Sequence, residues 1–215
     1  MKILISTDIE GVAGVFHPEQ TRAGNGEYER ARRLMTEEAN AAIAGAFDGG
    51  ASEVLVNDSH GGFRNLLPDL LDPRAQVVQG KPRYLSMVAG VEQGVDALCM
   101  IGYHSRAQGR GILAHTINSF AFARVSLNGQ EMGEAGIYGA LAGEYGVPVA
   151  MASGAGRLLE TAGPYPDVQA AIADCDFVFA TTARGRELVK PVVTPERAME
   201  MTRAMVGMGK RVGVL

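Results

Sequence analysis

The chain is 215 residues long, with a formal net charge of −4, 28 glycines, two cysteines and no tryptophan. That length buries a core without staples, and Cys99 in ALCMIG and Cys175 in ADCDF, with no CxxC or other ligand spacing, read as unpaired core thiols rather than a disulfide framework. Interspersed charges leave no basic stripe for nucleic acid, no apolar stretch reaches the length of a membrane span, and MKILIST lacks a signal-peptide cleavage region, so a soluble cytoplasmic protein is expected.

The first strand covers about Lys2 to Thr7 and delivers Asp8 and Glu10 with only Ile9 between them, ahead of a long loop through Gly11, Gly14, Pro18 and Gly24. In GEYERARRLMTEEANAAIAGAFDGG the residues Tyr28, Ala31, Leu34, Met35, Ala39, Ala42, Ile43 and Phe47 recur at helical spacing, and Gly49 and Gly50 supply the stop. EVLVND is a second strand leading into SHGG. A third strand is expected around Gln76 to Gln79, then a helix over PRYLSMVAGVEQG that carries Leu85, Met87, Val88 and Val91. DALCMIGY is a nearly continuous apolar run of the kind found in parallel sheets buried on both faces.

Residues 116 to 127 alternate imperfectly, and Asn128-Gly129 is a type I′ hairpin signal. GEAGIYGALAGEYG reads as a Gly- and Ala-rich helix, VPVAMAS and DFVFAT as strands, TPERAMEMTRAMVGMG as a Thr-capped helix with Pro at its first position, and RVGVL as a final apolar run. Strands alternating with helices predict an α/β fold: a mostly parallel sheet flanked by helices, with a hairpin insertion and a smaller C-terminal portion.

In open α/β sheets, ligand sites gather beyond the carboxyl ends of the strands. Asp8 and Glu10 end the first strand, His60 the second and His104 the DALCMIGY strand, which brings two carboxylates and two imidazoles to one sheet edge. At i and i+2 in extended backbone, Asp8 and Glu10 point the same way. Buried together they repel unless a cation neutralises both. Imidazole nitrogen with carboxylate oxygen suits Zn²⁺ best, with Mn²⁺, Co²⁺ or Fe²⁺ as alternatives.

Each piece alone has a plainer reading: a DxE after a strand is more often a solvated loop, and Asp-Ser-His a helix cap beside a surface ring. The conjunction is stronger, because every one of these groups interrupts an apolar run at the same edge. Glu134 is a further ligand candidate that would allow a second metal, or a first-turn acid favoured by the helix dipole. His115, reached through GRGILAH, is a functional-loop residue or a buried polar spacer. His17 lies in the VFHPEQ loop with no strand delivering it. Neither GxGxxG nor GxxxxGK[ST] follows a strand, which disfavours a nucleotide site. A metallo-phosphoesterase would need a phosphate clamp, for which Arg106 and Arg110 are the available side chains.

STDIEGVAG, LMTEEANAAI, EVLVNDSHGG, IGYHSRA, AHT and LNGQEMGEAG, in that order and spacing over about Met1 to Ser153, closely resemble the zinc-dependent D-aminopeptidase family found with bacterial dipeptide transport operons. The resemblance implies an α/β protein with two zinc ions per subunit, assembled as a homodecamer of stacked rings around a channel. It further implies that Asp8, Glu10, His60, His104 and Glu134 are the metal ligands, with Asp8 bridging, and that His115 is catalytic. The expected activity is removal of an amino-terminal residue, a D-amino acid such as D-alanine, from short peptides. The alternative is a catalytically inactive metal-dependent peptide-binding or sensing protein. The expected division is a metal-binding catalytic region over 1–153 and a C-terminal α/β portion over 154–215.

Overall fold

The computed structural model describes residues 1–155, 177–179, 201, 204–205, 208 and 212–214. The chain divides into two compact units, Met1–Ala162 and Gly163–Leu215. In chain order the strands are β1 (Lys2–Thr7), β2 (Glu53–Asp58), β3 (Gln76–Val78), β4 (Ala97–Tyr103), β5 (Ser126–Leu127), β6 (Gln130–Glu131), β7 (Val149–Gly154), β8 (Phe177–Phe179) and β9 (Val212–Val214), and the two long helices are α1 (Gly26–Asp48) and α2 (Glu134–Glu144).

The first unit is built on a five-stranded, all-parallel sheet in the order β3-β2-β1-β4-β7. The chain first steps outward from β1 to β3, then returns to place β4 on the other side of β1, so the winding reverses between β1 and β4. Such a reversal opens a crevice at the carboxyl ends of the two central strands. Register carries the segment ends to the same level: Thr7 pairs with Asp58 on one side and Ile101 on the other.

Both sheet faces are covered, which is why β1, β2 and β4 are apolar almost throughout. On one face α1 buries Tyr28, Ala31, Met35, Ala39 and Ile43, at helical spacing, against Ile3, Ile5, Val54 and Val56. Asn25 starts that helix by accepting the Tyr28 N–H, and Gly50, with φ of 94°, turns the chain away from its end. On the other face Leu4, Leu55, Leu98 and Met100 pack with Met87, Val88 and Val91 and with Ala135 and Ala142 of α2.

Two expectations are corrected. The segment 82–94 is not one helix: it forms two short 3₁₀ turns, Ser86–Val88 and Val91–Gln93. Gly90 and Gly94 have φ of 106° and 70°, and a Cβ on Gly90 would run into the Leu55 side chain, so the apolar residues reach the core by tight turning. Cys99 is a free thiol but only half-buried, and burial pushes it up to about 11. Residues 116–125, where the sequence alternates imperfectly, form turns and irregular structure. The hairpin follows them as expected: Asn128 and Gly129 have φ of 51° and 83° and join antiparallel β5 and β6.

In the second unit, β8 and β9 pair in parallel. Of the TPERAMEMTRAMVGMG segment, Met201, Ala204 and Met205 are helical; the remainder, apart from Met208 in a turn, lies outside the described residues, as does Cys175. Among the described residues no helix is long and apolar enough to cross a membrane.

Candidate metal centre

The loop after β1 is laid directly on the end of β4. Asp8 N–H donates to Ile101 O at 2.8 Å and Gly11 N–H to Gly102 O at 2.7 Å. Contact this close leaves no room for side chains: a Cβ on Gly11 would overlap the Tyr103 carbonyl, and one on Gly102, whose φ is 71°, would overlap the Asp8 carbonyl. Asp8 and Glu10 do face one place, but the backbone bends at Ile9 and turns at Glu10 instead of running on extended.

His60 is held from both sides. Asp58 accepts the Leu66 N–H and Asn65 Nδ2 at 2.7 Å, the Asn65 N–H at 2.5 Å and Gln79 Nε2 at 2.9 Å, and Asn65 Nδ2 in turn donates to His60 O at 2.7 Å. Below it, the Ser6 hydroxyl lies 2.7 Å from that of Ser59 and 2.6 Å from that of Tyr103. Asp58 therefore braces the His60 loop without reaching the cluster, a role that the motif alone did not reveal.

The six expected residues do come together. His60 Nδ1 lies 2.9 Å from Glu10 Oε2 and 3.4 Å from Asp8 Oδ1; His104 Nε2 lies 3.4 Å from Asp8 Oδ2 and 3.5 Å from Glu134 Oε1. His115 Nε2 lies 3.6 Å from Glu134 Oε1, and its ring stacks on that of His104 with centroids 4.1 Å apart. Asp8, Glu10, His104 and Glu134 are buried, whereas His60 and His115 keep 16% and 20% of their side chains exposed, so solvent reaches the cluster along these two rings. A cavity of about 410 Å³ adjoins His60 and is lined by Thr21, Tyr28, Arg32, Arg64 and Asn65 among others.

Each imidazole is anchored in the same way. His60 Nε2 faces Thr21 O at 2.9 Å, His104 Nδ1 faces Ser105 O at 3.0 Å, and His115 Nδ1 faces Leu113 O at 2.9 Å. A carbonyl oxygen only accepts, so that nitrogen carries hydrogen in each ring. A neutral ring then aims its remaining lone pair at carboxylate oxygens. Lone pair against anion is repulsive unless a proton or a metal ion lies between them.

Where no metal is present, protons take that part. Burial by itself raises the Asp8 carboxyl, but the His60 hydrogen bond and the charges of His104 and His60 bring it down to about 2. Burial and then the Asp8 charge push Glu10 up. Burial opposes a charged ring at both histidines; even so Glu10 and Asp8 lift His60 well above its ordinary value, and Glu134 and Asp8 lift His104 to about 10.

The donors fit a metal. Asp8 Oδ2, Glu10 Oε2 and His104 Nε2 are buried without a hydrogen-bond partner, which is costly for polar atoms unless an ion meets them. Two overlapping groups, Asp8–Glu10–His104 and His104–His115–Glu134, each present ligand atoms within 4.8 Å of one another. Carbonyl-anchored imidazoles are also the usual outer arrangement around metal-binding histidines. His17 lies elsewhere: its Nδ1 accepts the Glu19 N–H at 3.2 Å and caps the 3₁₀ turn Pro18–Thr21. Arg106 is engaged by Glu131 at 2.6 Å, which removes it as a phosphate clamp, and Arg110 is exposed.

Fold and cluster together define an open α/β protein with a buried nitrogen–oxygen site of metal-binding type at its switch point. Residues 1–208 match the model of the D-aminopeptidase family of peptidases, and the chain belongs to that family. The match extends past the segment 1–153 in which the motifs are legible. A D-aminopeptidase of Bacillus subtilis (strain 168) is 39% identical over 162 residues, 75% of this chain and 59% of that protein. The solved structure of the "Zn-dependent D-aminopeptidase DppA from Bacillus subtilis, a self-compartmentalizing protease" superposes with a TM-score of 0.69 at 39% identity, covering 72% of this chain and 56% of that one. The chain thus spans little more than half the length of these relatives.

Proposed function

We propose that the protein is a dinuclear zinc aminopeptidase that removes an amino-terminal D-amino acid, such as D-alanine, from short peptides, with the catalytic region in residues 1–153 and a C-terminal α/β portion in 154–215. The observation that carries the reading is the set of three imidazoles, each tied to a carbonyl on one nitrogen and aimed at carboxylates with the other. Asp8, Glu10, His60, His104 and Glu134 are the proposed ligands. Asp8 is the proposed bridge, because its two oxygens face different histidines.

Zinc held by these residues would supply Lewis-acid polarisation of the scissile carbonyl. His115 does the proton work or attacks directly. Leu113 O fixes its Nδ1–H, so Nε2 is free to take a proton from water as that water adds to the scissile carbonyl, and afterwards to return that proton to the leaving amine. In the nucleophilic alternative Nε2 adds to the carbonyl, the leaving amine takes its proton from a water, and the resulting hydroxide hydrolyses the acyl-imidazole. Stacking on His104 keeps the ring in register with the cluster. The solved relative's description as self-compartmentalizing supports a homo-oligomer, by resemblance a decamer, that admits short peptides and excludes folded protein. The proposed location is the cytoplasm, as the sequence leads one to expect.

The test is zinc analysis of purified protein beside hydrolysis of D- and L-alanyl peptides, repeated with His115→Ala. The expected result is zinc binding, hydrolysis of D-alanyl peptides, and a variant that retains zinc while kcat falls about 10²–10⁴-fold. Zinc without hydrolysis would make the protein a metal-dependent peptide-binding or sensing protein. Absence of metal from a folded protein would overturn the ligand assignment.

A further inference from the structure

Two residues flanking His115 stand in the left-handed region of backbone space, Leu113 with φ of 56° and Ile117 with φ of 63°. For a β-branched residue this is a true outlier, because its Cβ crowds the following carbonyl. Burial does not account for it, since the Ile117 side chain is 52% exposed. The conformation instead turns the chain back directly after an inward-facing amide. Ile117 N–H donates to Glu134 Oε1 at 2.7 Å, and that same oxygen lies 3.5 Å from His104 Nε2 and 3.6 Å from His115 Nε2.

The turn is clamped at both ends of the cluster. His115 N–H donates to Ser105 O at 3.1 Å, beside His104. Thr116, fully buried, accepts the Ala107 N–H at 3.0 Å through Oγ1 and donates to Met132 O at 3.3 Å, two residues before Glu134. The segment 115–117 is therefore tied both to the strand end that carries His104 and to the chain entering α2. With its φ of 63° Ile117 closes a tight turn, Asn118 N–H donating to Thr116 O at 2.6 Å, so the chain reverses directly after the amide that meets Glu134.

We propose that Ile117 is a positioning residue whose backbone N–H, presented at a left-handed turn, fixes Glu134 Oε1 where it meets His104 and His115. This rests on the metal-site reading above. A glutamate carboxylate turns readily about its last torsion; one charge-assisted hydrogen bond from a fixed amide selects the orientation in which Oε1 faces both rings. Backbone strain of this kind persists where surrounding contacts over-determine it, as the Thr116 and His115 bonds do here.

The test uses the full chain, loaded with zinc or cobalt. Replacing Ile117 by its α-hydroxy acid converts the amide to an ester, which removes the N–H and keeps the side chain. The same replacement at Phe122, whose N–H donates to Asn118 O at 2.9 Å in the same loop, is the control. The Ile117 ester weakens zinc binding, measured against a competing chelator, by about tenfold, the worth of one hydrogen bond to a charged group. It also shifts the cobalt d–d absorption, and the Phe122 ester does neither. Ile117→Asn, which keeps the N–H and tolerates left-handed φ, raises the Tm by about 2–4 °C and retains zinc affinity. Equal zinc affinity and cobalt spectra for the two esters overturn the proposal, as does an Asn variant no more stable than the parent. A parent chain that binds no zinc overturns the metal-site reading and this one together; a parent that binds zinc while the esters match overturns the positioning role alone.

Discussion

If the proposed metal site is right, removing the metal should make the stability of this protein fall with rising pH across the neutral and mildly alkaline range. In the metal-free cluster His104 is raised to about 10 by Glu134 and Asp8 against the opposing effect of burial, compared with about 6.5 in an unfolded chain. A raised pKa means that the folded state holds a proton the unfolded state has released. The stabilisation is complete below pH of about 6.5 and is lost as pH rises through about 10. Between those limits each such group contributes a slope of about 1.4 kcal/mol per pH unit. For a chain of this size that corresponds to a Tm falling by roughly 3–6 °C per unit. His60, raised by Glu10 and Asp8, shifts in the same direction and steepens the slope. As the proposed zinc ligands, these imidazoles should be unprotonated in the native state of the loaded protein, so their slope should vanish. The assay is a Tm series from pH 7 to pH 9.5 on chelator-stripped and zinc-loaded protein. Two parallel curves, or a stripped protein whose Tm is flat over that range, would refute the idea that protons and metal occupy the same seat.

The remaining predictions separate support from chemistry. Gly11→Ala puts a methyl into the Tyr103 carbonyl and lifts the Asp8–Glu10 loop off β4, so zinc affinity should drop at least tenfold, as read by chelator competition. Asp58→Ala leaves the Asn65 and Leu66 amides unsatisfied and should cost about 1–3 kcal/mol in urea unfolding, with a rise in zinc Kd as His60 loosens. Ile43→Ala, on the far side of the same sheet, should cost about 2–5 kcal/mol while zinc Kd in the folded protein stays unchanged. An Ile43 variant that lost zinc in step with stability would show that the metal assay was reporting unfolding.

Most of the frame was legible because its signals are strong and local. The apolar runs over β1, β2 and β4 are long and uninterrupted, α1 carries both its period and its stop, and Asn128-Gly129 fixes its hairpin by the φ values its turn demands. The residues that end the strands could be named for the same reason: a charge stands out after a buried run. Over 82–94 the apolar residues also matched helical spacing, but they are buried by turns about Gly90 and Gly94, and periodicity cannot tell a helix from a tightly folded apolar segment. Asp8 and Glu10 converge through a turn laid on β4, which depends on glycines at Gly11 and Gly102 from two distant segments. The Asp58 brace and the Ile117 amide were out of reach altogether, since a backbone donor leaves no mark in the residue type and its partner lies seven to seventeen residues away.

The arrangement also explains why the cluster sits where it does. Its members arrive from four separate segments: the loop after β1, the loop after β2, the end of β4 with the loop beyond it, and the start of α2. None of these segments holds the anions in place by itself, because unpaired buried carboxylates repel and favour protonation or exposure. What aligns them is backbone: the Asp8 and Gly11 amides donating to the Ile101 and Gly102 carbonyls, carbonyls that accept from three imidazoles, and the Ile117 amide donating to Glu134. Those groups belong to the fold itself, so an ion bound there would spend little on ordering side chains and could be held both tightly and with geometric selectivity. The same logic predicts unequal sensitivity among the residues around the site. Substitutions on exposed side chains of the 117–122 loop should be tolerated as long as the Ile117 amide keeps its direction, whereas a single added methyl at Gly11 or Gly102 displaces two of the aligned groups at once.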